Sequence, residues 1–333
     1  VPEIDFSPFS VEEGWVVGDE PTVGQRACAA AVDAACRKGA GFLYLRHTGC
    51  EEEAEKMLTV SKELFALSEE HKAGLTRIAP ETNCGFAPFA TECLNRRRRP
   101  DMKEAFNFRS RALFENDYRG CPGGFEQEAN KLWDATERWA RRFAMCCALA
   151  LGLPREYFSR SLERMDLCTI RCLHYPPCDF EAGASSGESL DSALRISEHT
   201  DFGAFTLLFC DQETPGLQAK PVAGGECGGE HGGELGGWVD VPPRKGCAVV
   251  NTGALLARWT NDAWKATAHR VVVPSAADAA RPRFSIACFI DPDAAFQVAV
   301  DPSFVPEGDE PKYPPTTGLE YLLMKLRETQ GKS

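Results

Sequence analysis

His199-Thr200-Asp201 places an imidazole and a carboxylate two residues apart, and a second histidine, His269, stands at the entry of the run Val271-Val272-Val273. Residues two apart on an extended segment project to the same side. Two neutral imidazoles and one hard carboxylate suit Fe(II), and three such ligands leave three coordination positions open. Further on comes Arg283-Phe284-Ser285, where an extended chain puts Arg283 and Ser285 on one face. A guanidinium can meet a carboxylate with two parallel hydrogen bonds, so this pair suits a dicarboxylate co-substrate. Each piece alone is weak. His-X-Asp occurs near surface turns, a histidine in an apolar strand is commonly a core residue, and Arg-X-Ser is an ordinary polar strand face. Their order, in a chain of 333 residues with 6 histidines, carries the reading.

The elements that would hold these residues follow from periodicity. Residues 21–39 read as an alanine-rich helix, followed by a strand at Gly41–Leu45. Residues 51–75 read as a second amphipathic helix, and 124–151 as the longest, ended by Leu153-Pro154. From Asp166 onward short strands recur at 167–175, 205–209, 238–241, 247–251, 268–273 and 283–289. Strands of this number and length predict a double-sheet jelly roll. A last helix spans 318–330. The expected fold is α+β with a mainly β core: a double-stranded β-helix (jelly roll) flanked by N-terminal helices and a C-terminal helix. Residues 1–165 would be a helical region with edge strands that is not independent, 166–315 the jelly-roll core, and 316–333 the closing helix.

Two segments break the pattern. Residues 181–192 are small, polar and acidic, and 221–237 contain 8 glycines. Both read as flexible surface insertions. Ordering such a loop costs entropy, which argues against His231 as a ligand.

Composition excludes several classes. A formal charge of −12 argues against a nucleic-acid partner, because phosphate binding wants a basic face. No apolar run approaches the roughly 20 residues that a membrane helix needs. No basic segment followed by an apolar stretch opens the sequence, so a cytoplasmic location is expected, with a cleaved transit peptide left open. The 15 cysteines form no regular framework. Cys146 and Cys147 read as small apolar helix residues, and Cys168, Cys172 and Cys178 lack metal-cluster spacing. Reduced thiols and an intracellular setting are expected.

Three further stretches matter: Val1-Pro-Glu-Ile-Asp-Phe6, Pro100-Asp-Met-Lys-Glu-Ala-Phe106 and Arg171-Cys-Leu-His-Tyr-Pro-Pro177. With His-X-Asp, the distal His-Arg-Val and Arg-X-Ser, they resemble the isopenicillin-N-synthase-like branch of the Fe(II)/2-oxoglutarate-dependent dioxygenases, over nearly the whole chain. The resemblance implies Fe(II) on His199, Asp201 and His269. It implies 2-oxoglutarate bound to the metal by its keto-acid end, with the far carboxylate on Arg283 and Ser285, and with Tyr175 also contacting it. It also implies dioxygen as the oxidant, with ascorbate as a candidate reductant. Leu173 and His174 stand where the family has Asn-Tyr, which removes a supporting contact. The implied reaction oxidises a C–H bond of a small molecule by hydroxylation, desaturation or oxidative ring closure, with release of succinate and CO2. Three alternatives stay open: a 2-oxoglutarate-independent iron oxidase that closes rings, of the isopenicillin-N-synthase type; a kainoid-synthase-like cyclase of an acidic amino-acid-derived substrate; and a non-catalytic binding protein on a jelly-roll scaffold, against which the complete metal triad argues.

The expected partner is a small-molecule substrate, with a carboxylate-bearing one conceivable, taken by an expected monomer without nucleic acid or membrane. Arg96-Arg97-Arg98-Arg99 is the main basic run; it reads as a solvated loop or as a holder of substrate carboxylates. Arg258 and Lys265, near His269, raise the same question. Phe86, Phe89, Phe202 and Phe289 read as core or as the lining for a flat phenolic substrate.

Overall fold

The structure, a computed structural model, describes residues 1–10, 20–79, 81–93, 100–178, 194–211, 214–221 and 237–330. Arg96 to Arg99, the acidic stretch 181–192 and all but the ends of the glycine-rich insertion, His231 included, lie outside the described residues.

The first half runs β1 (Glu3–Asp5), α1 (Val23–Lys38), β2 (Phe42–Arg46), α2 (Glu51–Phe65), α3 (Glu69–Ala73), β3 (Gly85–Ala87), β4 (Glu104–Phe108) and α4 (Phe125–Ala150). The second half runs β5 (Thr169–Tyr175), β6 (Leu194–His199), β7 (Phe205–Cys210), β8 (Leu217–Ala219), β9 (Val239–Asp240), β10 (Cys247–Thr252), α5 (Ala254–Trp259), β11 (His269–Val272), α6 (Ala276–Ala279), β12 (Arg283–Ile290), β13 (Gln297–Val298), β14 (Thr316–Thr317) and α7 (Gly318–Gln330). Eight strands form a large sheet in the order β1-β2-β10-β7-β12-β5-β4-β3, and four form a smaller one, β6-β11-β8-β9. The two together make the expected jelly roll. The N-terminal strands take both edges of the large sheet, so the first part of the chain shares its backbone ladder with the second.

The strands of the large sheet are buried on both faces, and strict alternation decides which residue goes where. On β12, Phe284, Ile286, Cys288 and Ile290 join the core under the helices. The intervening Arg283, Ser285, Ala287 and Phe289 face the space between the sheets. On β5, Ile170 and Cys172 pack toward the helices, while Thr169, Arg171, Leu173 and Tyr175 face inward. α1 and α2 pack on α4, whose Trp139 and Phe143 stack at 5.0 Å between ring centroids and close on Phe205 of β7. A second apolar cluster, with Phe42, Tyr44, Leu173, Ile196, Leu217 and Val271, ties the two sheets together.

Some elements differ from expectation. The helix expected over 51–75 is two helices, because the Ser68 hydroxyl accepts from His71 N and starts α3 after a break at Phe65. β4 and β6 lie where no strand is expected from the pattern, β6 beside the acidic insertion. The glycine-rich insertion joins β8 to β9, which still pair with Gln218 opposite Asp240. The described cysteines are free thiols. Among the described residues no helix is long and apolar enough to cross a membrane.

Trp139 is fully buried at the meeting of α4 with the large sheet. Trp139→Ala is expected to cost about 3–5 kcal/mol, the range for truncating a large aromatic in a packed core. Urea unfolding would read it as a lower midpoint at unchanged slope; a shift under about 1 kcal/mol would remove this contact as a main support of the fold.

Candidate metal centre and cofactor pocket

His199 and His269 come from paired strands. β6 and β11 run antiparallel with His269 opposite His199, but the next paired positions are Val271 and Ile196. Two steps on β11 therefore match three on β6. Such a bulge re-aims side chains, and it brings Ile196 and His199 onto the same interior face. Asp201 follows on the loop before β7. That loop is fixed by the start of α5, whose first turn has backbone N–H groups without helical partners. Ala254 N donates to Asp201 O at 2.8 Å and Leu255 N to Phe202 O at 3.0 Å. A Cβ at Gly203 would meet the Asp291 carboxylate.

One nitrogen from each histidine and one carboxylate oxygen lie within 4.8 Å of one another. His199 Nε2 is 3.9 Å and His269 Nε2 3.7 Å from Asp201 Oδ1. Each Nδ1 faces a backbone carbonyl, Ser197 O at 2.8 Å and Thr267 O at 3.2 Å. A carbonyl only accepts, so both Nδ1 atoms carry the proton and both Nε2 lone pairs are left free, each nitrogen 3.9 Å or less from Asp201 Oδ1. Burial, with His269 alongside, pushes His199 down to about 4, so its ring is neutral near pH 7. Burial opposes the charge on Asp201, but the two imidazoles and hydrogen bonds from Thr206 and Asn251 hold it below the usual carboxylate value. Those bonds, 2.6 Å from Thr206 Oγ1 and 2.7 Å from Asn251 Nδ2, both go to Oδ2 and leave Oδ1 facing the histidines. Two imidazole lone pairs and one fixed carboxylate oxygen are a donor set that fits Fe(II).

The same cavity, about 600 Å³, continues to Arg283. Arg283 is 2% exposed. Its Nη1 donates to Ser285 Oγ at 3.3 Å and its Nη2 to Cys210 Sγ at 3.5 Å, while Nε is buried without a partner. Its guanidinium lies 5.0 Å over the Tyr175 ring, which sits opposite it in register. A buried guanidinium with a spare donor and only neutral partners fits an anionic ligand.

The other sequence candidates sort clearly. His174 points to the helical side, 2.7 Å from Glu104 Oε1 and stacked on Phe284, away from the cavity. Arg258 donates to Pro314 O at 2.7 Å beside Tyr313, and neither it nor Lys265 lines the cavity, so neither is placed to hold a substrate there. Phe202 and Phe289 line the cavity; Phe86 is core and Phe89 is exposed. Sequence reasoning missed the polar wall formed by Asn83, Glu92, Lys103, Thr169 and Arg171. Arg171 was legible in principle, since it stands four residues before Tyr175 and so shares its face. Asp291 also lines the cavity, where burial and Asp201 push its carboxyl up to about 7.

Comparisons with known proteins agree with this geometry. The 2OG-Fe(II) oxygenase superfamily matches residues 166–292, and the family described as non-haem dioxygenase in morphine synthesis N-terminal matches 1–137. The 2-oxoglutarate-Fe(II) type oxidoreductase ppzD of Metarhizium rileyi is 30% identical over 94% of this chain and 88% of its own length. The 2-oxoglutarate-Fe(II) type oxidoreductase hxnY of Emericella nidulans is 27% identical over 100% of this chain and 91% of its own. Among solved structures, a full-length Neurospora crassa protein in complex with alpha-KG and thymine superposes with a TM-score of 0.79 at 27% identity, covering 100% of this chain and 97% of that one.

Asn251 holds one oxygen of Asp201 and nothing else in the centre. Asn251→Ala is expected to weaken metal binding about 10–100-fold, the usual effect of removing a group that orients a ligand. Titration with Mn(II), alongside an unchanged far-ultraviolet dichroism spectrum, checks this; unaltered affinity would mean that Asp201 needs no such support.

Proposed function

This chain belongs to the 2OG-Fe(II) oxygenase superfamily, and from that premise we propose the part that each residue of its site plays. It is an Fe(II)- and 2-oxoglutarate-dependent dioxygenase that oxidises a small molecule. In our reading His199, Asp201 and His269 hold the iron. Arg283 takes the far carboxylate of 2-oxoglutarate, Ser285 adds a second donor, and Tyr175 flanks it. The observation that carries this reading is that the donor set and the buried, unneutralised Arg283 open into one cavity.

When bound, the metal supplies the coupling of dioxygen reduction and 2-oxoglutarate decarboxylation to oxidation of a C–H bond. The chain supplies position. The carbonyls of Ser197 and Thr267 fix both histidine tautomers. Thr206 and Asn251 fix the carboxylate. Phe202, Leu208 and Phe289 make part of the wall apolar and keep water from the reacting end. The work is done by one chain, a monomer, with residues 1–165 as an inseparable part of the 166–315 core and 316–333 as its closing helix. The substrate, in our reading, bears a carboxylate: among the described residues, Arg171 and Lys103 are the lysine and arginine side chains on the cavity wall besides Arg283. A flat ring would fit between such walls, and the Neurospora crassa protein was solved with one, thymine.

Arg283→Lys replaces a fork of donors by a point charge. It is expected to weaken 2-oxoglutarate binding about ten- to a hundred-fold, corresponding to about 1.5–3 kcal/mol for a charge-assisted hydrogen bond, and Ser285→Ala should cost less. Anaerobic calorimetric titration of Fe(II)-loaded protein measures both. Unchanged affinity in Arg283→Lys would assign the anchor to another cation. His269→Ala should lose iron binding and turnover together while the fold persists; retained turnover would remove His269 from the centre.

A further inference from the structure

The polar wall of the cavity contains a charge cluster that the iron and 2-oxoglutarate sites do not use. Lys103, just before β4, donates to Glu92 Oε2 at 2.5 Å, and Arg171 on β5 donates to the same oxygen. Asp101 Oδ2 lies 3.7 Å from Lys103 Nζ. All three of Glu92, Lys103 and Arg171 line the cavity. Arg171 sits in register with Ala287 on β12, whose small side chain leaves the space beside it open. That level lies between Ser285 below and Phe289 above.

The two cations and their carboxylate are not alike. The Lys103 side chain is 4% exposed and rooted just before β4, and Arg171 stands within β5, between β4 and β12. The Glu92 side chain is 34% exposed and comes from the loop between β3 and β4. Arg171 Nε is buried and has no hydrogen-bond partner. The cations are therefore fixed parts of the wall with a donor to spare. Their carboxylate is the more exposed partner and is carried on a loop.

We propose that Glu92 is an internal, displaceable counter-ion: it occupies the Lys103–Arg171 pair until the carboxylate of a substrate takes its place. The proposal rests on the carboxylate-bearing substrate put forward above. Without Glu92 the two buried cations would share only the Asp101 carboxylate beside Lys103, and the excess positive charge would be a costly state. Glu92 removes that cost in the empty cavity and sets a threshold for entry. A neutral isostere cannot repay the loss of the Glu92 contact, whereas a carboxylate replaces it bond for bond. Arg171 Nε then gains the acceptor that Glu92 does not give it. Glu92 is thus a specificity-determining residue, which selects for charge at this level of the cavity.

The test uses Fe(II)-loaded, anaerobic protein saturated with 2-oxoglutarate, so that Arg283 is already occupied. The probes are benzoate and its neutral isostere benzamide, titrated calorimetrically. Glu92→Gln keeps the shape and removes the competing charge. It is expected to raise benzoate affinity at least about tenfold and leave benzamide unchanged, with 2-oxoglutarate affinity as in the wild type. In Glu92→Gln/Arg171→Gln the gain should vanish. Equal benzoate affinity in wild type and Glu92→Gln, an equal gain for benzamide, or a gain that persists without Arg171 would each overturn the proposal. If Glu92→Gln does not fold, Arg171→Gln alone decides: benzoate affinity falling about tenfold at constant 2-oxoglutarate affinity supports the cation pair, and no fall overturns it. Failure of the wild type to bind 2-oxoglutarate at all would instead overturn the assignment of the Arg283 anchor.

Discussion

Arg283 carries a permanent positive charge into the barrel, 2% exposed, and among the described residues its hydrogen bonds go to a hydroxyl and a thiol. Such a charge is expensive in a low-dielectric interior unless an anion meets it. The rest of the site can be understood as built around that need. β12 brings Arg283, Ser285, Ala287 and Phe289 up one wall at successive levels. β5 answers with Tyr175, Leu173, Arg171 and Thr169. The proposed iron ligands stand at the far end of the ladder, near Phe289 and Thr206. A molecule with an anion at one end and a metal-binding group at the other is the shape that this ladder accepts.

The supporting shell is made almost entirely of backbone and neutral side chains. Two carbonyls orient two imidazoles, a hydroxyl and an amide orient one carboxylate, and the first turn of α5 holds the loop that carries it. Neutral supports leave the centre's own charge to be balanced by its ligands. That arrangement keeps His199 unprotonated and Asp201 charged near pH 7. Beside this centre a Cβ at Gly203 would run into the Asp291 carboxylate, so a side chain there would have to push that carboxylate aside.

Much of this was legible in the sequence, for a local reason. A spacing of two on an extended chain fixes a common face, which is why Arg283 with Ser285 could be paired without coordinates. The apolar runs marked most core strands and the long helix α4. What stayed hidden depends on contacts between distant segments. The Glu92–Lys103–Arg171 cluster joins a loop, a strand entry and a mid-strand position, and nothing local marks them as neighbours. Thr206 and Asn251 look like ordinary strand residues until the fold sets them beside Asp201. The bulge that turns His199 inward leaves no pattern in sequence, because it is a mismatch between two strands. The break between α2 and α3 was readable at Ser68, whose capping role was overridden by the helical periodicity around it.

The central claim is that one cavity holds a metal on His199, Asp201 and His269 and the far carboxylate of 2-oxoglutarate on Arg283. Anomalous diffraction from crystals grown anaerobically with Mn(II) and 2-oxoglutarate measures both positions at once. The account predicts a single metal peak bonded to His199 Nε2, His269 Nε2 and Asp201 Oδ1, with the distal carboxylate of 2-oxoglutarate on Arg283 and Ser285. A metal held by other residues, or a distal carboxylate seated on Lys103 and Arg171 with Arg283 left alone, would contradict it.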